Sequence, residues 1–444
     1  MGRPSRSRAL NVWMNGKLVG VWQLPNRRAP EFVYDPAWLE SPAFRPLSLS
    51  LPATSVSPLV RGEKVNAFFD NLLPDSEAIR RRLQQHFKTA SQKAFDLLAA
   101  VGRDCVGAVQ LLPLGASPAD VASIEARPLD DAAVEQALIN ATTASAWPGQ
   151  DEADDFRISI AGAQEKTALL WHEGRWCRPL GATPTTHLFK LPLGLVGNRQ
   201  ADMRTSVENE WLCAKLLQAF DIPVAQCEIK TFGQQKCLVV ARFDRKLHAS
   251  GDYWLRLPQE DFCQATGTPP HLKYEADGGP GMLDICKLLA NSEDRDTDLR
   301  TFFKTQILFW MLRATDGHAK NFSLFLLPGG RYRLTPMYDV LSAWPLIGNG
   351  ANQIPLQKVR LAQAWLGKNK HYLADGIQQR HFDMTALKCG VGGQARDVIE
   401  ELISTAPQAI ATVTSTLPSG FPQDVADAIL GGLQRSADRL ADRF

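Results

Sequence analysis

The feature that most constrains this chain is a change of periodicity between residues 298 and 344. In DLRTFFKTQILFWMLRATDG, Phe302, Phe303, Ile307, Trp310, Met311 and Ala314 recur at helical spacing, a broad apolar stripe that must be buried. The period then stops. A polar loop, ATDGHAKN, is followed by FSLFLL, PGG and RYRLTP, which read as two strands around a tight turn. This hairpin delivers Asp339 directly after Tyr338. The reading requires two acidic side chains, Asp316 and Asp339, and one amide, Asn321, to converge on one place.

At 444 residues the chain is too long for one ordinary core, and two or three domains are expected. Up to about residue 115, short strands surround one helical pattern, VNAFFDNLLPDSEAIRRRLQQHF, with a break at Pro74 and Asp75 and a restart near Asp75 or Ser76. GRDCVGAVQLLP reads as a loop entering a strand over residues 106–112. A polar, Ala-rich stretch over 116–155 carries one helix near 130–142 and is the best boundary candidate. FRISI, AGAQEK and TALLW then read as strand, turn and strand, and THLFKLP as a further strand. SVENEWLCAKLLQAF reads as an amphipathic helix with Ser206 as its N-cap. Strands near 225–230 and 237–242 lead into RFDRK, which completes a small sheet with one helix. Two more helices fill residues 394–444, separated by Pro418, Gly420 and Pro422.

A formal charge of +2 makes no case for nucleic acid or membrane. The basic start, MGRPSRSRA, runs into a strand-like stretch with no apolar core of a secretory signal, and no apolar run reaches the length of a membrane span. The expected location is the cytoplasm. Eight scattered cysteines without C-x-x-C spacing fit reduced, mostly buried thiols rather than a metal site.

Phosphoryl transfer needs little covalent chemistry from a protein. It needs a carboxylate to orient the acceptor hydroxyl and oxygen ligands to hold Mg²⁺ on the phosphates. An Asp, an Asn five residues later and a second Asp beyond a short hairpin match that plan, with Asp316 as the catalytic group and Asn321 and Asp339 as metal ligands. Taken alone, TDG is a common turn and Asn321 could cap a strand. Upstream parts add weight. Lys190 leaves an otherwise apolar strand, HLFKLP, which is unfavourable unless the ammonium meets an anion or snorkels to solvent at a sheet edge. Glu208 and Glu210 lie in the next helix, and Glu210 is the preferred ion-pair partner because it leads into the apolar stripe. SIAGAQEK offers a phosphate cover, since Gly162 between Ala161 and Ala163 lets backbone amides approach closely. Lys166 either adds charge there or is a solvated strand lysine. His318 shapes the catalytic loop. KYEADGGPG, residues 273–281, reads as a flexible surface segment near the acceptor.

At these residues the chain closely resembles the HipA family of serine/threonine kinase toxins from bacterial toxin–antitoxin modules. The matching blocks include RPLSLSLP, FFDNLLPDS, GRDCVGAV, DFRISIAGAQEKTALL, TPTTHLFKLP, LRLPQEDFCQ, KYEADGGPG, ATDGHAKNFS and RLTPMYDVLSA, and run over nearly the whole chain. The resemblance implies an α+β, protein-kinase-like two-lobed fold with an added N-terminal α/β domain and a mostly helical C-terminal lobe. The corresponding boundaries are residues 1–150, 151–243 and 244–444. It implies ATP and Mg²⁺ as cofactors. Asp316 would be catalytic, Asn321 and Asp339 would hold the metal, and Lys190 would meet phosphate. Ala161, Gly162, Ala163, Gln164, Glu165 and Lys166 would form the phosphate loop. Gly317, His318 and Tyr338 would complete the nucleotide site. Ala241, Arg242 and Phe243 match the adenine-bearing hinge, although Ala241 replaces a Glu common in the family. Ser159 matches the family's autophosphorylated serine, although by itself it is an ordinary strand serine.

By the same resemblance the substrate is glutamyl-tRNA synthetase, whose phosphorylation halts growth and promotes persistence. The partner is HipB, a helix-turn-helix antitoxin, and the two sit together on operator DNA. Lys368, Lys370 and Arg380 lie in a basic region that either touches DNA or is a solvated charged face. Two other classes compete: a nucleotide-binding transcriptional co-repressor with a vestigial kinase site, and a small-molecule kinase of the aminoglycoside type. Retention of Lys190, Asp316, Asn321 and Asp339 argues against the first of these.

Overall fold

The computed structural model describes residues 8–54, 56–142, 159, 161–162, 164–197 and 199–442. The first unit is a five-stranded antiparallel sheet in the spatial order Leu59–Arg61, Glu31–Tyr34, Lys17–Leu24, Arg8–Met14 and Val109–Pro113. Leu10, Val12 and Met14 alternate inward along the strand, the two-residue period of a half-buried sheet. They pack with Trp22, which stacks on Phe69 of the Glu63–Asp70 helix at 4.0 Å between centroids. A fully buried Phe such as Phe69 stabilises the fold by roughly 1.5–3 kcal/mol. The helical pattern breaks where the sequence places the break, and the helix restarts as Glu77–His86, with Ser76 Oγ accepting from Ile79 N–H at 3.4 Å. The next strand begins at Val109, not at residue 106. The preceding residues turn away instead, with Gly107 at φ +73° and too close to the Gln259 carbonyl for a Cβ.

A six-stranded sheet follows, ordered Cys227–Phe232, Gln235–Ala241, His187–Lys190, Lys166–His172, Arg175–Pro179 and Ala126–Pro128. The Asp131–Thr142 helix covers one face, where Val134 and Leu138 meet Phe189 and Val239. The Ser206–Ala219 helix covers the other, against Leu188, Leu238 and Val240. This helix is buried on nearly all sides rather than amphipathic, because the larger lobe closes over the face turned away from the sheet. Ser206 is not its N-cap. Thr205 occupies that position without a side-chain bond, and Ser206 Oγ accepts from Leu193 N–H at 3.0 Å. Of FRISI, residues 156–158 and 160 lie outside the described residues.

The third part is mostly helical. The Arg295–Leu312 helix runs through its core and ends at Arg313, a left-handed residue with φ +53°. The Gln379–Cys389, Gln394–Ser415 and Gln423–Ala441 helices pack around it. The hairpin, Ser323–Leu326 with Tyr332–Leu334, adds Gln259–Asp261 to make a three-stranded sheet. The result is a sheet-bearing lobe over a helical lobe, with the first unit packed against both. All eight cysteines are buried and unpaired. Among the described residues no helix is long and apolar enough to cross a membrane.

Candidate active site

The cleft between the two lobes is built from the strand that carries Lys190. Strand alternation turns Phe189 to one face and Leu188 and Lys190 to the other, toward the Ser206–Ala219 helix. There Lys190 Nζ lies 2.6 Å from Glu210 Oε1 and 2.7 Å from Asp339 Oδ1. Helical rotation sends Glu208 elsewhere, to Lys236. Burial alone would push the Lys190 ammonium down, but Asp339 and Glu210 outweigh it and hold the group above its ordinary value. Burial dominates for Glu210, which is raised. For Asp339 the desolvation is overcome by Lys190 and Lys166, and its carboxyl is held well below the usual range.

Lys166 stands directly opposite Lys190 across the adjacent antiparallel strands. Burial, then the Lys190 charge, push Lys166 down to about 8. Like charges in this register are unfavourable, and the pair fits a site that takes a polyanion. Gly162, with φ +108°, closes the cleft above it. A Cβ at Gly162 would sit against Lys166 Nζ. Ala161 and Gln164 also line the cleft, with Gln164 Nε2 donating to Leu191 O at 2.5 Å. Glu165 turns out of the cleft to Arg82. Ala163 lies outside the described residues. Ser159 is buried, with Oγ donating to Leu72 O at 2.7 Å and N–H to Asp104 O at 3.1 Å.

On the opposite wall, Asn321 Nδ2 donates to Asp316 O at 2.8 Å and to Asp339 O at 3.4 Å. The amide nitrogen thus ties the loop to the hairpin end and leaves Oδ1 as the side chain's acceptor. Asp339 adopts φ +60°, a strained conformation for a non-glycine residue of the kind that collects at functional sites. Tyr338 secures it from behind, with its Oη donating to Lys320 O at 2.9 Å and 2.6 Å from Ser323 Oγ. Among the described residues no group of three or more His, Cys, Asp or Glu side chains could hold a metal by itself. One amide oxygen and one carboxylate, completed by phosphate and water, suit Mg²⁺.

The segment after Gln235–Ala241 supplies the third side. Arg242 lines the cleft only with its main chain, because its guanidinium is buried against Asp104, Asp244 and Thr185. Its N–H donates to Thr186 O and that of Ala241 to Gln226 O, both at 2.8 Å. The next amide, Phe243 N–H, has no partner among the described residues. The Phe243 and Tyr338 rings meet at 5.6 Å. A planar base held by main-chain groups fits this edge, and the side chain at Ala241 is not required for it.

Gly317 does not line the cleft. Its role is steric, since a Cβ there would fall 2.4 Å from the buried Phe309 ring. Gly317→Ala is therefore expected to cost about 1–3 kcal/mol in urea unfolding and to disturb the Asp316 loop. A variant of wild-type stability would contradict this packing. His318 is buried, with its pKa lowered chiefly by burial, and its Nδ1 has no hydrogen-bond partner.

Several residues at the site carry no sequence signal strong enough to find them. Asp75, from the helix break in the first unit, lines the cleft and pairs with Lys320 at 2.6 Å and Lys273 at 2.9 Å. Despite burial, these two cations push its carboxyl down to about 2. Its N–H donates to Gly162 O at 3.0 Å, so one residue ties the Gly162 turn to the loop that carries Asp316, Lys320 and Asn321. The segment 273–281 is not a free surface loop. A 3-10 turn, Glu275–Asp277, lies within it, and it is tied to the site by Lys273 on Asp75 and by Tyr274 Oη donating to Asp316 Oδ1. Lys368, Lys370 and Arg380 are all exposed, and Lys370 is already paired with Glu275 at 2.7 Å.

A HipA-like C-terminal domain model matches residues 158–410, and a HipA N-terminal domain model matches residues 10–112. The chain is 34% identical to the protein named "Putative kinase Y4mE" of Sinorhizobium fredii, over 76% of this chain and 77% of that one. It is 27% identical to the serine/threonine-protein kinase toxin HipA of Shewanella oneidensis, over 67% and 66%. The fold matches the solved complex of Shewanella oneidensis HipA, HipB and operator DNA with a TM-score of 0.77, at 23% identity and 97% coverage of both chains.

Proposed function

Starting from a chain that belongs to the HipA family, we propose that it is a Mg·ATP-dependent serine/threonine protein kinase and the toxin of a toxin–antitoxin pair. The observation that carries this reading is the buried Lys190, opposite Lys166 and clasped by Glu210 and Asp339 in the cleft that also holds Asp316 and Asn321. When bound, Mg·ATP supplies the phosphoryl group and the cation that neutralises its oxygens. The chain's residues do the rest. Lys190 and Lys166 offset phosphate charge, Asn321 Oδ1 and Asp339 hold the cation, and the main chain from Ala241 to Phe243 bears the base. Asp316, whose side chain is 56% exposed, orients an incoming hydroxyl and accepts its proton.

The family resemblance and the Shewanella complex support a HipB-like antitoxin and an operator DNA reached through that complex, and eight buried cysteines without a disulfide fit a cytoplasmic location. The resemblance alone supports glutamyl-tRNA synthetase as the acceptor. Exposed Lys368 and Arg380 are better placed for a DNA contact than Lys370, whose charge is engaged. Ser159, the proposed autophosphorylation site, is buried here and must leave its place to be modified. Phosphate there would add about −1.5 to −2 charge beside a cleft meant for triphosphate, and so would expel the loop.

Saturating Mg·ATP should raise the melting temperature, since ligand at a hundredfold excess over Kd stabilises by about 2.7 kcal/mol. The shift should disappear when Mg²⁺ is chelated. Absence of any nucleotide-dependent shift would favour the co-repressor with a vestigial site.

A further inference from the structure

Three consecutive side chains beside the site reach three different parts of the molecule. Lys273 Nζ pairs with Asp75 at 2.9 Å, on the first unit. Glu275 is buried, with Oε2 accepting from Ala364 N–H at 2.6 Å and Oε1 paired with Lys370. A Cβ at Gly281 would run into that carboxylate, which accounts for one glycine of the segment. Between these anchors, Tyr274 Oη donates to Asp316 Oδ1, and the Tyr274 ring rests edge-on against His318 at 5.0 Å. The main chain is tied as well, with Ala319 N–H donating to Lys273 O at 3.3 Å.

Asp316 needs such a partner. More than half of its side chain is in solvent, where a carboxylate exchanges rotamers freely unless something holds it. His318 Nε2 lies 3.9 Å from Oδ1, beyond hydrogen-bond distance. The Tyr274 bond is charge-assisted and therefore among the stronger kinds. Burial and then the Asp316 charge push the Tyr274 hydroxyl above its ordinary value, so it remains a donor.

We propose that Tyr274 is a positioning residue for Asp316, fixing Oδ1 so that Oδ2 is presented to the acceptor hydroxyl, with Lys273 and Glu275 holding Tyr274 in place. The inference rests on the kinase reading above. Misplacing a reacting group by about 1 Å can lower a rate by about 10²-fold, so the effect belongs in the rate of transfer and not in nucleotide binding.

The test is Tyr274→Phe, which keeps the ring on His318 and removes the donor. Autophosphorylation is followed as a function of ATP concentration, in the otherwise wild-type chain and with Asp316→Ala. The maximal rate should fall about ten-fold or more, with the half-saturating ATP concentration and the Mg·ATP thermal shift unchanged. With Asp316→Ala, adding Tyr274→Phe should lower the residual rate no further, because the tyrosine acts through that carboxylate. A wild-type rate in Tyr274→Phe, an equal loss in both backgrounds, or weakened ATP binding would each overturn the inference. A wild-type chain that transfers no phosphate would sink the kinase reading and this inference together, whereas wild-type transfer with an unaffected Phe variant sinks this inference alone.

Discussion

Replacing Asp316 with alanine is expected to lower phosphoryl transfer by about 10²- to 10⁴-fold, the usual worth of a positioned acid–base group. The substitution should leave the fold intact. Asp316 is largely exposed and its side chain bonds only to Tyr274 among the described residues, so little packing is lost. Nucleotide binding should survive as well, because Lys190, Lys166, Asn321 and Asp339 are untouched. The measurement is radiolabel transfer to the chain itself and to a protein band in whole lysate, with mass spectrometry of the peptide containing Ser159. Undiminished self-phosphorylation in the variant would remove Asp316 from the mechanism. Label found only in low-mass products of the wild-type chain would point to a small-molecule kinase instead.

The largest effect on stability is expected at Asp104. Its carboxylate is buried where the first unit meets the segment from Arg242 to Arg256. Oδ1 is 3.0 Å from Arg245 and 3.2 Å from Arg256, and Oδ2 is 2.7 Å from Thr185 Oγ1 and 3.3 Å from Arg242. Asp244 is the second anion of the cluster, bonded to Arg242, Arg245 and Gly107 N–H. Two carboxylates already serve three guanidiniums. Burial pushes Arg245 down to about 10, and would push Asp104 up, but the three arginines hold the Asp104 carboxyl well below the carboxylate range. Removing one partner of a buried ion cluster typically destabilises by about 3–5 kcal/mol, because the remaining charges stay desolvated. Asp104→Ala should show that loss in urea unfolding at pH 7. A change under about 1 kcal/mol, the range of exposed pairs, would contradict it. The pH dependence has a fixed sign. A carboxyl with a depressed folded pKa contributes stability above its unfolded value near 4, and that contribution drains away as the pH falls toward the folded value. Wild type and Asp104→Ala should therefore converge in stability as the solution is acidified below pH 4.

Much of the architecture is legible in local pattern. The Arg295–Leu312 helix, the hairpin after it, the Lys190 strand and the last two helices follow from apolar spacing and turn residues, which depend on near neighbours alone. Boundaries are less so. Residues 106–112 read as one apolar strand, but Asp104 and Gly107 are drawn into the ion cluster and the strand starts later. Ser206 has the chemistry of an N-cap, but the neighbouring Leu193 amide claims its hydroxyl. In each instance a partner distant in the chain, or across a turn, outcompetes the local preference.

Sequence by itself marked the residues on which the kinase proposal rests. A lysine in an apolar strand is unfavourable unless it meets a charge or reaches solvent, and that argument needs no coordinates, whereas the Asp–Asn–Asp spacing around a hairpin gained weight only from the parts upstream of it. Only the tertiary structure decided which groups share the charge. It set Lys166 opposite Lys190, brought Asp75 from the first unit into the cleft, and joined Tyr274 to Asp316. The reason is physical. Local pattern records whether a side chain must be buried or paired, whereas the identity of its partner depends on strand register and on how separate units pack.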